Sequence, residues 1–431
     1  MVIPLIEQQP AAVIWAFQEA QLQELLRYLA AHSPFYQATW ARTGVNLADI
    51  RHLEDLARLP VTTKQDLHER PADFLCVPPA RIIDYVCTSG TLGLPVTFGL
   101  TDGDLDRLAY NEYLSLGCAG GGADELYQLT TTMDKRFMAG MAYFLGARRL
   151  GAGIIRVGGG VVEMQWDTIL RLRPTALIAV PSFVVKLLDY AEEHGIDFAA
   201  SSVRKVVCIG ENIRHPDFSL NALGQRIRAK WDVKLYSTYA ATEMGTSFTE
   251  CSAGQGGHHH PELLIVEVLD QHNQPVPDGA PGELTITTLG VEGMPLLRFK
   301  TGDMGIVHRE ACACGRTTAR LSPILGRKQQ MLKYKGTTLY PQLIHDALNE
   351  VAFVNNYVVE SYTNDIGTDE LLIHIGCHEP SVRAQGHLRE HLQAKLRVAP
   401  ALLFKTVAEV SQMQLAGSAR KARMFIDRRA A

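Results

Sequence analysis

Three stretches of this chain bring hydroxyls, glycines and isolated charges together in ways suited to phosphate chemistry. The first is Thr88-Ser89-Gly90-Thr91-Leu92-Gly93-Leu94-Pro95, directly after the apolar run 82–86. Glycines let backbone amides approach phosphate oxygens closely, and the hydroxyls of Thr88, Ser89 and Thr91 can add donors to the same anion. The stretch is not a Walker loop, because the Gly-Lys-Ser/Thr ending is absent. The second is Tyr239-Ala240-Ala241-Thr242-Glu243, at the end of a strand-like run. There the Glu243 carboxylate can hold a magnesium ion that bridges phosphate oxygens, Thr242 can donate to a phosphate, and Tyr239 can stack on a base or line its site. The third is Thr301-Gly302-Asp303, followed by Arg327 after Gly326. A short acid suits ribose hydroxyls, and a guanidinium suits phosphate or ribose oxygens. Taken singly, each also reads as a plain turn or a solvated charge.

A fourth constellation points to a metal. Cys251 is followed by His258-His259-His260, and Cys312-Ala313-Cys314-Gly315 comes later in the chain. Two thiolates two residues apart, with a third cysteine and one histidine of the triplet, can complete a tetrahedral Cys₃His zinc site. The alternative is a chance grouping of small buried hydrophobes with surface histidines. With all four positions filled by protein, such a zinc is structural and generates no nucleophile. The remaining cysteines, Cys76, Cys87, Cys118, Cys208 and Cys377, are too scattered for a disulfide framework, so reduced thiols are expected.

The elements that must position these residues follow from the apolar spacing. With 431 residues, 46% hydrophobic and 20% charged, the chain exceeds one compact core of ordinary size, so two domains are expected. Its net charge of −4 comes without a long block of either sign, which argues against a nucleic-acid arm or a membrane-binding stretch. The opening residues lack the order of a signal peptide and no apolar run approaches membrane-spanning length, so a cytoplasmic location is expected. A helix is expected over 11–31, and another near Lys64 capped by Thr63 or a neighbour. Short apolar runs at 127–131, 153–157, 176–180, 203–209 and 234–239 read as strands with helices between them, the pattern of parallel βαβ units whose ligands sit beyond the strand carboxyl ends. Strands at 263–269, 283–287 and 305–308, with a turn at 275–282, predict antiparallel pairing. From Gly326 a smaller α+β unit is expected. It has an extended 331–334, a helix over 341–351, strands near 356–362 and 370–377, a helix over 382–395 and a mobile tail. The fold class is thus α/β with α+β elements: a large N-terminal domain, 1–326, carrying a β-subdomain, and a small mobile C-terminal domain, 327–431.

In this order and at these spacings the motifs resemble the adenylate-forming superfamily, and more closely its phenylacetate–coenzyme A ligase branch. The likeness runs nearly end to end, taking in Ser33-Pro34-Phe35-Tyr36, Leu59-Pro60 with Thr63-Lys64-Gln65-Asp66-Leu67, Pro181-Ser182-Phe183 and Gly210-Glu211-Asn212. The resemblance implies that Thr88, Ser89, Gly90, Thr91 and Gly93 cradle the triphosphate of ATP and that Gly210, Glu211 and Asn212 border adenine. It implies that Tyr239, Thr242 and Glu243 meet nucleotide, phosphate and Mg²⁺, and that Asp303 binds ribose. Arg327 matches the arginine after the domain junction. Lys421, in Ser418-Ala419-Arg420-Lys421, matches the catalytic lysine, which bridges the incoming carboxylate and the α-phosphate. It also implies a zinc ligand set of Cys251, His258, Cys312 and Cys314, with His259 and His260 as alternates. Three positions depart from the family: Leu94 stands where a lysine is usual, Gln329 replaces an acidic or lysine hinge residue, and Ser418-Ala419-Arg420 replaces a small acidic entry to Lys421.

The implied reaction activates a carboxylic acid, aryl or arylacetic, as acyl-AMP and then transfers the acyl group to coenzyme A, the small domain rotating about 327–330 between the steps. Met133, Phe137, Met141, Tyr143 and Phe183 are candidates to enclose the acid, and ordinary core is their other reading. Lys135 and Arg136 could instead face a polar acid or the phosphates of the coenzyme. Two rival functions remain: adenylation with delivery to a carrier-protein thiol or an amine, and a catalytically decayed nucleotide-binding protein. The oligomeric state is open, a homodimer included.

Overall fold

The computed structural model describes residues 3–88, 95–334, 337–364, 369–378, 381–415 and 423–429. Ser89, Gly90, Thr91, Gly93 and Leu94 of the hydroxyl-glycine stretch, and Ser418, Ala419, Arg420 and Lys421, lie outside these residues. The chain forms two compact units, Met1–Thr301 with Gly305–Ile324, and Gly302–Met304 with Leu325–Ala431. Among the described residues no helix is long and apolar enough to cross a membrane.

In the first unit, helices α1 (Ala11–His32) and α2 (Pro34–Thr43) meet at Ser33, whose hydroxyl accepts from the Tyr36 amide while Pro34 takes the first position of α2. Helix α3 (Lys64–Glu69) begins at Thr63 with a reciprocal cap: the Thr63 hydroxyl accepts from the Asp66 amide, and the Asp66 carboxylate accepts from the Thr63 amide. Strands β1 (Asp84–Cys87) and β2 (Thr97–Leu100) pair antiparallel, and the hydroxyl-glycine stretch joins them. After α4 (Asp102–Cys118) the chain alternates β3 (Leu126–Leu129), α5 (Met138–Leu150), β4 (Gly153–Arg156), α6 (Val162–Leu172), β5 (Ala176–Ala179), α7 (Pro181–Glu193), β6 (Lys205–Ile209), α8 (Ala222–Lys230) and β7 (Lys234–Ala241). These strands pair in parallel, as the spacing of apolar runs predicts. Every residue of β5 and β6 is buried, the mark of a parallel sheet covered on both faces.

The sequence reading of the next stretch holds only in part. Strands β8 (Thr246–Glu250) and β9 (Gly257–His258) extend the large sheet antiparallel, whereas β10 (Leu264–Leu269), β11 (Gly282–Thr288) and β12 (Phe299–Gly305) lie side by side in a separate one. Thr301-Gly302-Asp303 lies within β12, so its plain-turn alternative falls away; Gly302 takes a φ of +78° there. Strands β13 (Val307–His308) and β14 (Arg320–Leu321) return to the large sheet, giving it nine strands in the order β13-β14-β9-β8-β7-β6-β5-β3-β4. The Cys312–Cys314 knuckle thus joins two strands of the large sheet.

The second unit contains β15 (Gly326–Arg327), the hairpin β16 (Leu332–Tyr334) and β17 (Thr337–Leu339), and α9 (Pro341–Asn349). After these come β18 (Asn356–Thr363), β19 (Asp369–Gly376), α10 (Val382–Leu396), β20 (Ala401–Lys405), α11 (Val407–Leu415) and β21 (Phe425–Asp427). A four-stranded sheet in the order β20-β19-β18-β21 carries its core. The stretch expected only as a tail carries two strands that the sequence reading missed: β20 and β21 pair in parallel with β19 and β18. Alternation was hidden because β20 is nowhere fully buried.

Helices α4 and α5 cross at Gly146, where a Cβ would lie 2.3 Å from the Glu112 Cβ. This close crossing shuts Glu112 away from water, with Asn111 donating to its Oε1 (3.1 Å) and its Oε2 without a hydrogen-bond partner among the described residues. Burial pushes the Glu112 carboxyl up to about 7, outweighing the Ser115 hydrogen bond and the nearby His260. The folded chain therefore holds a proton that the unfolded chain has released between pH 4.5 and about 7, and stability falls as pH rises through that window. The Glu112→Gln variant mimics the protonated form. It should match wild type near pH 4.5 and be more stable at pH 8.5, by on the order of 3 kcal/mol. Urea midpoints measured at both pH values test this, and parallel wild-type and variant curves would reject it.

Candidate functional site

Four loops singled out from the sequence leave the large sheet at the carboxyl ends of neighbouring parallel strands. Residues 130–137 follow β3, Pro181-Ser182-Phe183 opens α7 after β5, Gly210-Glu211-Asn212 follows β6, and Tyr239–Glu243 ends β7. Since β6 pairs in register with β7 up to Ile209 and Thr238, the third and fourth loops emerge side by side. Side chains tie them further: the Glu211 carboxylate accepts from the Ser182 amide (2.9 Å) and hydroxyl (2.8 Å), and Asn212 donates to the Ile324 carbonyl (2.8 Å). Gly210 turns the chain out of the sheet with a φ of +76°, a conformation glycine adopts without strain. Thr88 stands at the end of β1, buried, and closes a loop with Val96 through both its backbone amide and its hydroxyl (3.0 Å each). The preceding Cys87 amide donates to the Arg136 carbonyl (2.9 Å), which brings the β1 end against the loop after β3.

Thr242 and Glu243 occupy a tight turn between β7 and β8, in which the Met244 amide donates to the Ala241 carbonyl and the Gly245 amide to the Thr242 carbonyl. The Glu243 side chain is 12% exposed, and Lys64 at the first position of α3 lies 3.3 Å from its Oε1. Two residues here were not read as functional from the sequence. Lys64 stood in a motif without a role. Arg107 of α4 gave no signal, because its acceptors are distant in sequence: the carbonyls of Leu289 (2.7 Å), Gly245 (2.9 Å) and Leu263 (2.7 Å) and the Thr246 hydroxyl (3.2 Å). Burial lowers its pKa to about 10, so it stays cationic at neutral pH and pins the Glu243 turn.

In the second unit Asp303 and Arg327 sit opposite one another where β12 pairs with β15, with Arg327 Nε 3.3 Å from Asp303 Oδ1. Gly326 precedes Arg327 with a φ of +150°, and a Cβ there would lie 2.6 Å from that of Tyr340. The expected acid pocket is corrected at one position: Tyr143 is 2% exposed and belongs to a core cluster with Leu116, Tyr127 and Leu129. Lys135 and Arg136 both take a φ of +58°, strained for side-chain-bearing residues. A cavity of about 680 Å³ lies elsewhere, between α1 and β10, and its walls include none of the nucleotide candidates.

The four metal candidates converge. Cys251 follows β8, His258 ends β9, and Cys312 and Cys314 lie on the knuckle between β13 and β14, with all four ligand atoms within 4.8 Å of one another. Cys251 Sγ lies 3.6 Å from Cys312 Sγ, and Cys314 Sγ lies 3.5 Å from His258 Nε2. A tetrahedral zinc at ordinary bond lengths sets such edges at about 3.8 Å and about 3.5 Å, so the donor set fits. Burial, then the charge of Arg316, lowers the His258 pKa to about 3, which keeps its imidazole neutral as a ligand must be. Burial opposes the Cys314 thiolate, but Arg316 outweighs it and lowers that pKa. The neighbouring histidines are otherwise engaged: His259 Nε2 faces the Leu264 carbonyl (2.7 Å), and His260 Nδ1 faces Glu7 Oε1 (2.5 Å).

Comparison with known proteins agrees with this arrangement. The chain matches the AMP-binding enzyme family over residues 41–293. It is 31% identical to the phenylacetate–coenzyme A ligase of Thermus thermophilus over 89% of this chain and 86% of that protein. With the Escherichia coli phenylacetate–coenzyme A ligase it shares 30% identity over 80% of this chain and 78% of that one. The crystal structure of 2-hydroxyisobutyryl-CoA ligase in the postadenylation state, in complex with R3-HIB-AMP, superposes with a TM-score of 0.85 at 25% identity, covering 99% of this chain and 94% of that one. By these measures the chain belongs to the adenylate-forming AMP-binding enzyme family, in the branch of the phenylacetate–coenzyme A ligases.

Proposed function

We propose that this chain is an AMP-forming acid–thiol ligase that activates a carboxylic acid with ATP as an acyl-adenylate and passes the acyl group to coenzyme A. The observation that carries the reading is the emergence of Gly210–Asn212 and Tyr239–Glu243 at adjacent strand ends, in a chain of the AMP-binding family. In this reading Gly210, Glu211, Asn212 and Tyr239 border the base, Asp303 takes the ribose, and Arg327 reaches ribose or phosphate. Thr88, Ser89, Gly90, Thr91 and Gly93 cradle the phosphates, joined by the Thr242 hydroxyl. Glu243 would hold Mg²⁺, which when bound offsets charge on the phosphate oxygens. The acid carboxylate attacks the α-phosphorus and pyrophosphate leaves. Lys421 bridges carboxylate and α-phosphate during that step, and a thiolate then displaces AMP from the acyl carbon. Cys251, His258, Cys312 and Cys314 would hold a structural zinc that takes no part in bond making. We place the division between the catalytic body and the mobile lid at Gly326, and assign an aryl or arylacetic substrate from the two ligase relatives named above.

Pyrophosphate release measured with aryl, arylacetic and short alkyl acids, with and without coenzyme A, tests the reading. Acid-dependent release with the thioester as product is expected, highest with an arylacetic or aryl acid. Turnover that yields no thioester would point to a carrier-protein thiol or an amine as acceptor. ATP binding with no turnover on any acid would identify a decayed nucleotide-binding protein.

A further inference from the structure

The N-terminal residues 3–10 run along the knuckle between β13 and β14, and only one of them, Glu7, is buried. Its side chain is wholly enclosed, as is that of Arg316, and His260 is 1% exposed. Glu7 Oε2 accepts from Arg316 Nε (2.6 Å) and Oε1 faces His260 Nδ1 (2.5 Å). Arg316 Nη1 in turn lies 3.5 Å from the Sγ of Cys314. Thr317 completes the attachment: its amide donates to the Glu7 carbonyl (2.8 Å), and its hydroxyl reaches the carbonyls of Glu7 (3.1 Å) and Gln9 (2.6 Å). A short segment that buries one side chain ordinarily buries an apolar one, since an enclosed carboxylate is costly unless paired. Here the pairing runs inward. A zinc held by three thiolates and a neutral imidazole carries one surplus negative charge, and Arg316 stands beside one of those thiolates. Glu7 fixes the guanidinium in that position.

We propose that Glu7 and Arg316 form the outer layer of the metal centre, so that the N-terminal segment is a strap whose docking and the retention of the metal stabilise each other. The proposal rests on the zinc reading above. Because such coupling is reciprocal, it can be approached from either end. The full-length protein would be purified without chelator and its zinc content measured, followed by the rate of zinc transfer to a chromogenic chelator. Glu7→Gln should release zinc about 10-fold faster than wild type. Thr317→Val, which loosens the strap without touching a charge, should do so by about threefold. The second variant carries the test if the first does not fold. Conversely, withdrawing zinc from wild type should speed amide exchange in residues 5–9 while leaving that of α7 unchanged. Zinc-loaded wild type with variants that release it at the wild-type rate, or with strap exchange indifferent to the metal, would overturn the coupling and leave the zinc site standing. Wild type without zinc would overturn both.

Discussion

Glu243→Gln is expected to lower acid-dependent pyrophosphate release by about 10²- to 10³-fold while leaving transfer from a supplied acyl-adenylate to coenzyme A near wild type. The asymmetry follows from where charge changes. Formation of the adenylate moves negative charge onto departing pyrophosphate, and an Mg²⁺ held by this carboxylate would offset it; the thiol step releases AMP and has no such demand. The substitution is conservative in shape, and the turn does not depend on the side chain, because backbone bonds within 241–245 and the Arg107 contacts hold it. The variant also removes the charge partner of Lys64, whose 36% exposed side chain leaves that end of the pair solvated and its contribution to stability small. Thermal stability should therefore change little. Single-turnover assays of the two half-reactions, with Mg²⁺ varied, decide the matter. Equal losses in both steps would reject the assignment of Glu243 to the phosphate end of the nucleotide, and so would an unchanged Mg²⁺ dependence.

How far the sequence revealed this site depended on the range of the interactions that built it. Apolar runs separated by helical spacing gave β3, β5, β6 and β7, and with them the strand ends where loops had to be sought. The Thr63 cap was legible because its partner Asp66 lies three residues away. Arg107 was not, since its acceptors at Gly245, Leu263 and Leu289 are joined to it only by the fold. Gly302 gave Thr301-Gly302-Asp303 the look of a turn, but the backbone carries a positive φ there and continues as strand, setting Asp303 opposite Arg327. In the histidine triplet composition could not separate three identical neighbours. Pairing of β9 with β8 and β14 turns His258 toward Cys314, and leaves His259 and His260 to the Leu264 carbonyl and Glu7.

Cys312→Ser is expected to abolish zinc binding and to cost about 3–5 kcal/mol of stability, lowering the midpoint of thermal unfolding by about 10 °C. The size follows from what the metal would join. The knuckle between β13 and β14 has little apolar burial of its own, and its internal hydrogen bonds are short-range, such as Cys312 N to the Arg316 carbonyl (2.9 Å) and Gly315 N to the Cys312 carbonyl (3.0 Å). Without a central ion, three sulfurs and a neutral imidazole lie within 4.8 Å of one another with few hydrogen bonds to satisfy them. At this edge of the large sheet the β13–β14 and β14–β9 ladders are only two residues long. Chelator should lower the wild-type midpoint to that of the variant and leave the variant unmoved. Cys208→Ala, in the fully buried β6 and not one of the four ligands, controls for loss of a core thiol and should keep its zinc. A chelator-sensitive midpoint in Cys312→Ser would place the ion elsewhere. The same clamp would fix Cys251 at the far end of β8, the strand that begins at the Glu243 turn, while Arg107 fixes the near end. Zinc loss should for that reason weaken adenylation before it unfolds the enzyme, and a zinc-free protein with wild-type pyrophosphate release would separate the two ends of that strand.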